Sequence, residues 1–231
     1  MRAVILDVDG VLLASPHEQA WREALAGLAD AARFTPQLYQ DQVAGKPRAE
    51  GALAALTALG VPDATARAPA YAARKQARLE ALIQAGAVQP FADGVRFVER
   101  AAAAGLPLAL ASASRNADAL LALCKRADGG PLRDLFAVNL NGRDEGPGKP
   151  DPWLVRQAAA ELHVPAPDCL VVEDAPAGVQ AARAAGAPAL GVARGEDAAS
   201  LRAAGAVRVV ASLDEIDAAD LASGRWAEAA S

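Results

Sequence analysis

At 231 residues, 53% hydrophobic but only 4% aromatic, the chain can form one large domain or a core with a smaller insert, its interior filled by aliphatic side chains and alanine. A net charge of −5 leaves no electrostatic footprint for nucleic acid, and no apolar run reaches membrane-spanning length. Two cysteines, Cys124 and Cys169, are a poor basis for a disulfide framework. A cytoplasmic monomer with no nucleic-acid or membrane partner is expected, its first residues forming a strand and not a signal peptide.

The first informative stretch is Ala3-Val4-Ile5-Leu6-Asp7-Val8-Asp9-Gly10. A short Val, Ile and Leu run reads as a strand buried on both faces, as in a parallel sheet. Asp7 then stands at the strand's carboxyl end, where open α/β sheets bind ligands. Asp7 and Asp9 point the same way along an extended chain, and their mutual repulsion calls for a cation, with Mg2+ the natural hard partner for oxygen ligands. Asp-x-Asp-Gly alone is common in turns, and Val11, Leu12 and Leu13 exclude a calcium loop.

After this strand, Ser15 or Pro16 opens a helix carrying Trp21, Leu25, Leu28 and Ala32 at helical spacing, with His17 one turn before Trp21. Phe34 to Gln42 forms a second short helix. Val43-Ala44-Gly45-Lys46-Pro47-Arg48 breaks the pattern before a helix with Leu53, Leu56 and Leu59, and 64 to 85 forms a long helix. From Phe91 the chain alternates helix and strand. Asp93 caps a helix ending at Gly105; strands follow at 106–111, 135–140, 169–172, 189–193 and 207–210, with helices between. This alternation predicts a doubly wound parallel sheet. Its strand ends carry Asp7 and Asp9, Ser112, and Glu173 with Asp174, and Lys149 opens a helix on the same edge. Phosphoryl transfer needs such a set: a nucleophilic carboxylate, a cation, and donors for the phosphate oxygens.

The four elements Asp7-Val8-Asp9-Gly10-Val11, Ser112, Lys149-Pro150 and Glu173-Asp174 resemble the motifs of the haloacid dehalogenase superfamily of phosphotransferases. The resemblance covers essentially the whole chain. It implies a Rossmann-like α/β core, residues 1–13 and 89–231, with an inserted all-helical cap at 14–88. It implies Asp7 as nucleophile and Asp9 as general acid/base, with Ser112 and Lys149 on the phosphoryl group. Mg2+ would be held by Asp7, the backbone carbonyl of Asp9 and Asp174, with Glu173 nearby.

Within the superfamily the chain is similar to the β-phosphoglucomutase group. His17-Glu18-Gln19-Ala20-Trp21 resembles that group's cap His and Trp, and Gly45-Lys46-Pro47-Arg48 its cap loop, whose arginine binds a distal phosphate. Ser112-Ala113-Ser114-Arg115-Asn116 resembles its second motif, with Arg115 where a lysine is usual. His17, Arg48, Ser114, Arg115 and Asn116 are therefore expected to contact substrate. The segment from Val11 to His17 is short, Ala14 replaces a customary acid, and the expected cap lysine falls on Ala81, with Lys75 or Arg78 as substitutes. These departures favour a phosphatase acting on a small phosphorylated metabolite, such as a sugar phosphate, over a β-phosphoglucomutase. A non-enzymatic phospho-acceptor of the receiver type is the rival; receivers are shorter, lack the helical insert and carry their aspartate on a later strand.

Overall fold

A computed structural model describes residues 1–143, 145–195, 197–223 and 225–227. Six parallel strands form the core sheet: β1 (Ala3–Leu6), β4 (Leu108–Leu110), β5 (Val138–Asn139), β6 (Cys169–Glu173), β7 (Ala189–Val192) and β8 (Arg208–Val210), in the order β5-β4-β1-β6-β7-β8. The chain winds outward from β1 to β5, then returns to the other side of β1 at β6. The topological switch point therefore falls between β1 and β6. Period-two alternation divides β1 between two cores: Val4 and Leu6 pack on one face, Ala3 and Ile5 on the other. The first face is covered by α5 (Ala92–Ala103) and α6 (Ala117–Leu121), the second by α7 (Trp153–Glu161), α8 (Pro176–Ala185) and α9 (Ala198–Ala204); α10 (Ala218–Ser223) lies near the C-terminus.

Between β1 and α5 the chain builds an all-helical cap: α1 (His17–Glu23), α2 (Pro36–Leu38), a π-helical turn at Tyr39–Val43, α3 (Arg48–Ala58) and α4 (Ala64–Gln84). It has its own apolar core around Trp21, Leu25, Phe34, Leu56 and Tyr71. At the two crossings between core and cap, β2 (Leu13–Ala14) and β3 (Gln89–Pro90) pair as an antiparallel ribbon. Among the described residues no helix is long and apolar enough to cross a membrane.

Some local expectations are corrected. The first cap helix stops at Glu23 and does not run to Ala32; the chain tightens into three-residue turns, with Gly27 at φ +74°. Leu25 still reaches the cap core, whereas Ala32 is exposed. Asp93 does not cap α5, whose N-cap is Phe91; its carboxylate accepts hydrogen bonds from Arg194, Ser212 and the Leu213 amide. The strand expected over 135–140 is confined to Val138–Asn139, because Leu132–Leu135 forms a 3-10 turn.

Candidate active site

Sheet register brings the polar strand ends to one level. Leu6 is paired with Leu110 on one side and Val172 on the other, so Asp7, Ala111-Ser112 and Glu173 follow at the same edge. The Asp7 amide still donates to the Val172 carbonyl, at 3.1 Å, which fixes its backbone. The buried polar and charged side chains among the described residues are Asp7, Ser112, Lys149 and Glu173 here, Lys75 in the cap above, and Asp93 at the base of the cap. Burying such groups is costly unless they are paired, so their concentration marks a built site.

Lys149 is the centre of charge. Its Nζ donates to Asp7 Oδ1 at 2.7 Å and to Glu173 Oε1 at 2.5 Å, and the side chain is 1% exposed. Burial acts to lower its pKa, but the two carboxylates more than reverse this and hold it charged. Burial raises the pKa of Asp7, of Glu173 to about 8, and of Asp174 well above the usual carboxylate range. One ammonium thus faces three carboxylates, and the arrangement calls for further positive charge.

The residues fit a divalent cation. Ligand oxygens of Asp7, Glu173 and Asp174 lie within 4.8 Å of one another. Glu173 Oε2 is buried without a hydrogen-bond partner, the kind of orphaned acceptor that a cation satisfies. Gly10, at φ +77°, passes so close to Asp174 that a Cβ there would overlap its carboxylate. An all-oxygen set of this kind suits Mg2+ or Ca2+.

The carboxylate of Asp9 stands outside this cluster. It faces the cap, with Oδ1 3.6 Å from His17 Nε2, and burial raises its pKa against hydrogen bonds from Ser15 and Ser114. Ser112 is fixed by its neighbours: its amide donates to Asn141 Oδ1 at 3.1 Å, and its hydroxyl accepts from the Ser114 amide at 3.2 Å.

A cavity of about 420 Å³ lies between the sheet edge and the cap, lined by Asp7, Asp9, Ser112 and Asp174 below. His17, Arg48, Lys75, Ser114, Arg115 and Asn116 also line it, so each substrate-contact residue expected from the sequence meets in one space. Arg48 opens α3, and its side chain makes no hydrogen bond or ion pair among the described residues. Of the positions considered for the cap lysine, geometry brings only Lys75 into the cavity. Ala81 is exposed on α4, and Arg78 pairs with Glu23 on the outer surface. Lys75, 2% exposed, donates to or shares a proton with His17 Nδ1 at 2.9 Å and sits 4.9 Å over the Trp21 ring. Burial lowers its pKa to about 7 and that of His17 well below the ordinary value. A sequence signal existed: Ala68, Tyr71, Lys75, Leu79 and Leu82 form the buried stripe of α4, and Lys75 is its one charged member.

The sequence reading missed the contacts that hold the cap closed. Gln76 and Asn116 exchange amide hydrogen bonds at 3.0 and 3.2 Å across one side of the cavity. On the other side, Gln40 of the π-helical turn donates to the Asp174 carbonyl and, at 3.1 Å, to Asp197.

The chain is similar to known proteins along most of its length. A family model, haloacid dehalogenase-like hydrolase, matches residues 1–186. The β-phosphoglucomutase of Mycobacterium bovis is 33% identical, covering 94% of this chain and 91% of that protein. A phosphorylated carbohydrates phosphatase of Thermotoga maritima is 31% identical, over 91% of this chain and 94% of that protein. Among solved structures, an archaeal β-phosphoglucomutase from Pyrococcus sp. strain ST 04 superimposes with a TM-score of 0.72 at 29% identity, covering 97% of this chain and all of that one. The chain belongs to the haloacid dehalogenase-like hydrolases. Within them it falls in the β-phosphoglucomutase-like subgroup, and it is an enzyme of phosphatase or phosphomutase type.

Proposed function

We propose that this enzyme moves the phosphoryl group of a small phosphorylated sugar onto Asp7 and then onto water, with Mg2+ as cofactor. The observation that carries this reading is the buried cluster of Asp7, Lys149 and Glu173 at the sheet's switch point, with Asp174 beside it and a closed cap above. We take the cap as residues 14–88 and the core as 1–13 and 89–231; the β2–β3 ribbon at both crossings supports this division.

Lys149 holds one oxygen of Asp7, leaving the other to bond phosphorus as the bond from phosphorus to the sugar oxygen breaks. Asp9, whose burial favours the protonated form, gives its proton to the departing oxygen. The resulting Asp9 carboxylate takes a proton from water, and the water oxygen displaces Asp7 from phosphorus to release phosphate. Ser112 and Lys149 bind the phosphoryl oxygens throughout. Asp7, the Asp9 carbonyl, Asp174 and Glu173 would hold Mg2+, which when bound offsets the excess carboxylate charge and withdraws charge from the phosphoryl group. His17, Arg48, Ser114, Arg115 and Asn116, joined by Lys75, bind the rest of the substrate.

The test is a screen of phosphorylated metabolites with Mg2+, glucose phosphates and bisphosphates included. Multiple turnovers are expected in the parent and none in Asp7→Asn. Labelling that stops after one phosphate per chain would mean a phospho-acceptor, and activity of Asp7→Asn within a few-fold of the parent would refute the nucleophile.

A second reading, β-phosphoglucomutase, is favoured by one observation: Arg48 and Arg115 both line the cavity that holds Asp7, positive charge for a second phosphate. β-Glucose 1-phosphate with a trace of the 1,6-bisphosphate separates the two. A phosphatase yields free phosphate in step with turnover, whereas glucose 6-phosphate running many turnovers ahead of phosphate would establish the mutase. In that case Arg48→Ala should impair isomerisation far more than hydrolysis of an aryl phosphate.

A further inference from the structure

We infer that Arg194 is a positioning residue for Asp9, acting through the turn that follows it and through the base of the cap. The inference rests on the reading of Asp9 as general acid/base. Arg194 follows β7 and does not line the cavity, and neither does its partner Asp93. Its guanidinium nevertheless makes three different contacts. Nε donates to the Gly10 carbonyl at 3.1 Å, Nη2 to the Val11 carbonyl at 3.0 Å, and Nη1 to Asp93 Oδ2 at 2.7 Å. The ring of Phe91 lies 3.9 Å from the guanidinium carbon.

Those contacts meet at the residues that set the direction of Asp9. Gly10 is gripped on both sides: its amide donates to the Leu13 carbonyl at 2.8 Å, and its carbonyl accepts from Arg194. With both its peptide groups held and φ at +77°, Gly10 leaves the preceding Asp9 little backbone freedom. Val11 leads into the outgoing crossing to the cap, and Phe91 ends the returning one, its amide donating to the Leu12 carbonyl at 2.9 Å. Asp93, the ion-pair partner, is itself anchored by Ser212 Oγ at 3.0 Å and the Leu213 amide at 2.8 Å. One side chain thus ties the loop after Asp9 and both crossings to the core. The planar fork aims three separate nitrogens at two successive carbonyls and a carboxylate; a lysine in its place, with one nitrogen, can keep the ion pair but not the fork.

A structural brace and a positioning residue differ in one measurable way. 4-Nitrophenolate leaves from phosphate without a proton, whereas phenolate needs one, so a displaced Asp9 penalises phenyl phosphate more. kcat/KM, which reports transfer to Asp7, is therefore measured with both esters and Mg2+ for the parent, Asp9→Asn, Arg194→Gln and Arg194→Lys. Asp9→Asn should lose on the order of 10²-fold more with phenyl phosphate than with 4-nitrophenyl phosphate. Arg194→Gln should lose ~10-fold more, and Arg194→Lys a smaller excess in the same direction. Arg194→Lys retains the pairing with Asp93 and carries the comparison should Arg194→Gln fail to fold. Equal losses with both esters in the Arg194 variants, beside a discriminating Asp9→Asn, overturn the inference alone. An Asp9→Asn that does not discriminate refutes the acid role of Asp9 and this inference with it, and a parent inert towards both esters refutes the proposed phosphoryl transfer itself.

Discussion

At Lys149 a nearly inaccessible ammonium touches two carboxylates, and a third, Asp174, lies beside them. Lys149→Met removes the counter-charge while keeping most of the volume, so it strands Asp7 and Glu173. The expected cost is about 3–5 kcal/mol of unfolding free energy in chelator, read from urea denaturation, with at least ~10²-fold lost from turnover. Lys75 gives a pH signature. Burial lowers its pKa from 10.5 to about 7, so between those values the unfolded chain holds a proton that the native state lacks. Stability from this group therefore rises with pH across that window, and below it the native state carries the full cost of a buried ammonium. The difference in unfolding free energy between parent and Lys75→Met should shift in the parent's favour from pH 7 towards pH 10; a difference flat with pH would show that the ammonium is not strained by burial. Cys124 and Cys169 are buried, and burial raises both thiols to about 11. A thiol reagent at neutral pH should leave both untouched in the native protein and modify both in denaturant.

Secondary-structure elements act here by close approach. In α8, Gly178 lies against the end of β6, and a Cβ there would fall on the Glu173 carboxylate. In an ordinary helix Gly→Ala stabilises, but Gly178→Ala should destabilise and weaken metal binding, since Glu173 is locked to Lys149 and cannot yield. Calorimetry with Mg2+ would check both effects. In the cap, the amide pair between Gln76 of α4 and Asn116 before α6 is one of the contacts that a rigid-body opening must break. A double-mutant cycle with Gln76→Ala and Asn116→Ala, read on KM for a sugar phosphate, should give a coupling of roughly 0.5–3 kcal/mol. Strict additivity would mean that the pair does not guard the cavity. The π-helical turn serves the same end, because its extra residue carries Gln40 down to the Asp174 carbonyl.

For the molecule as a whole, the core supplies the buried acidic cluster at the cavity floor and the cap supplies its roof. The convergence of Asp7, Glu173 and Asp174 means that a cation binding there favours the folded state. Mg2+ at a hundred times its dissociation constant should add about 2.7 kcal/mol of stability, visible as a higher Tm, and Asp174→Ala should abolish most of that gain. EDTA should abolish turnover and Mg2+ restore it; full activity in chelator would refute the cation site.

The sheet and the polar residues along its edge were legible in the sequence because they are local. An apolar run of four or five residues must be buried on both faces, and the polar residue that ends it must sit at the sheet edge, as at Leu6-Asp7 and Val172-Glu173. Parallel register then brings Asp7, Ser112 and Glu173 together without further information. The cap was legible only as a block of helices. Alanine-rich sequence blurs helix ends: the spacing predicts a first helix reaching Ala32, nine residues past its end at Glu23, where the chain tightens into three-residue turns. Which cap residue enters the cavity was decided by tertiary packing: Lys75 reaches His17 across 58 positions, and Gln40 reaches Asp174 across 134. Arg194, 184 positions from Gly10, was invisible for the same reason. Strand order and strand ends follow from burial and alternation along a few residues. The roof and the clamp beneath it depend on how two separately packed cores meet, and that is set by contacts between segments whose sequences carry no mark of each other.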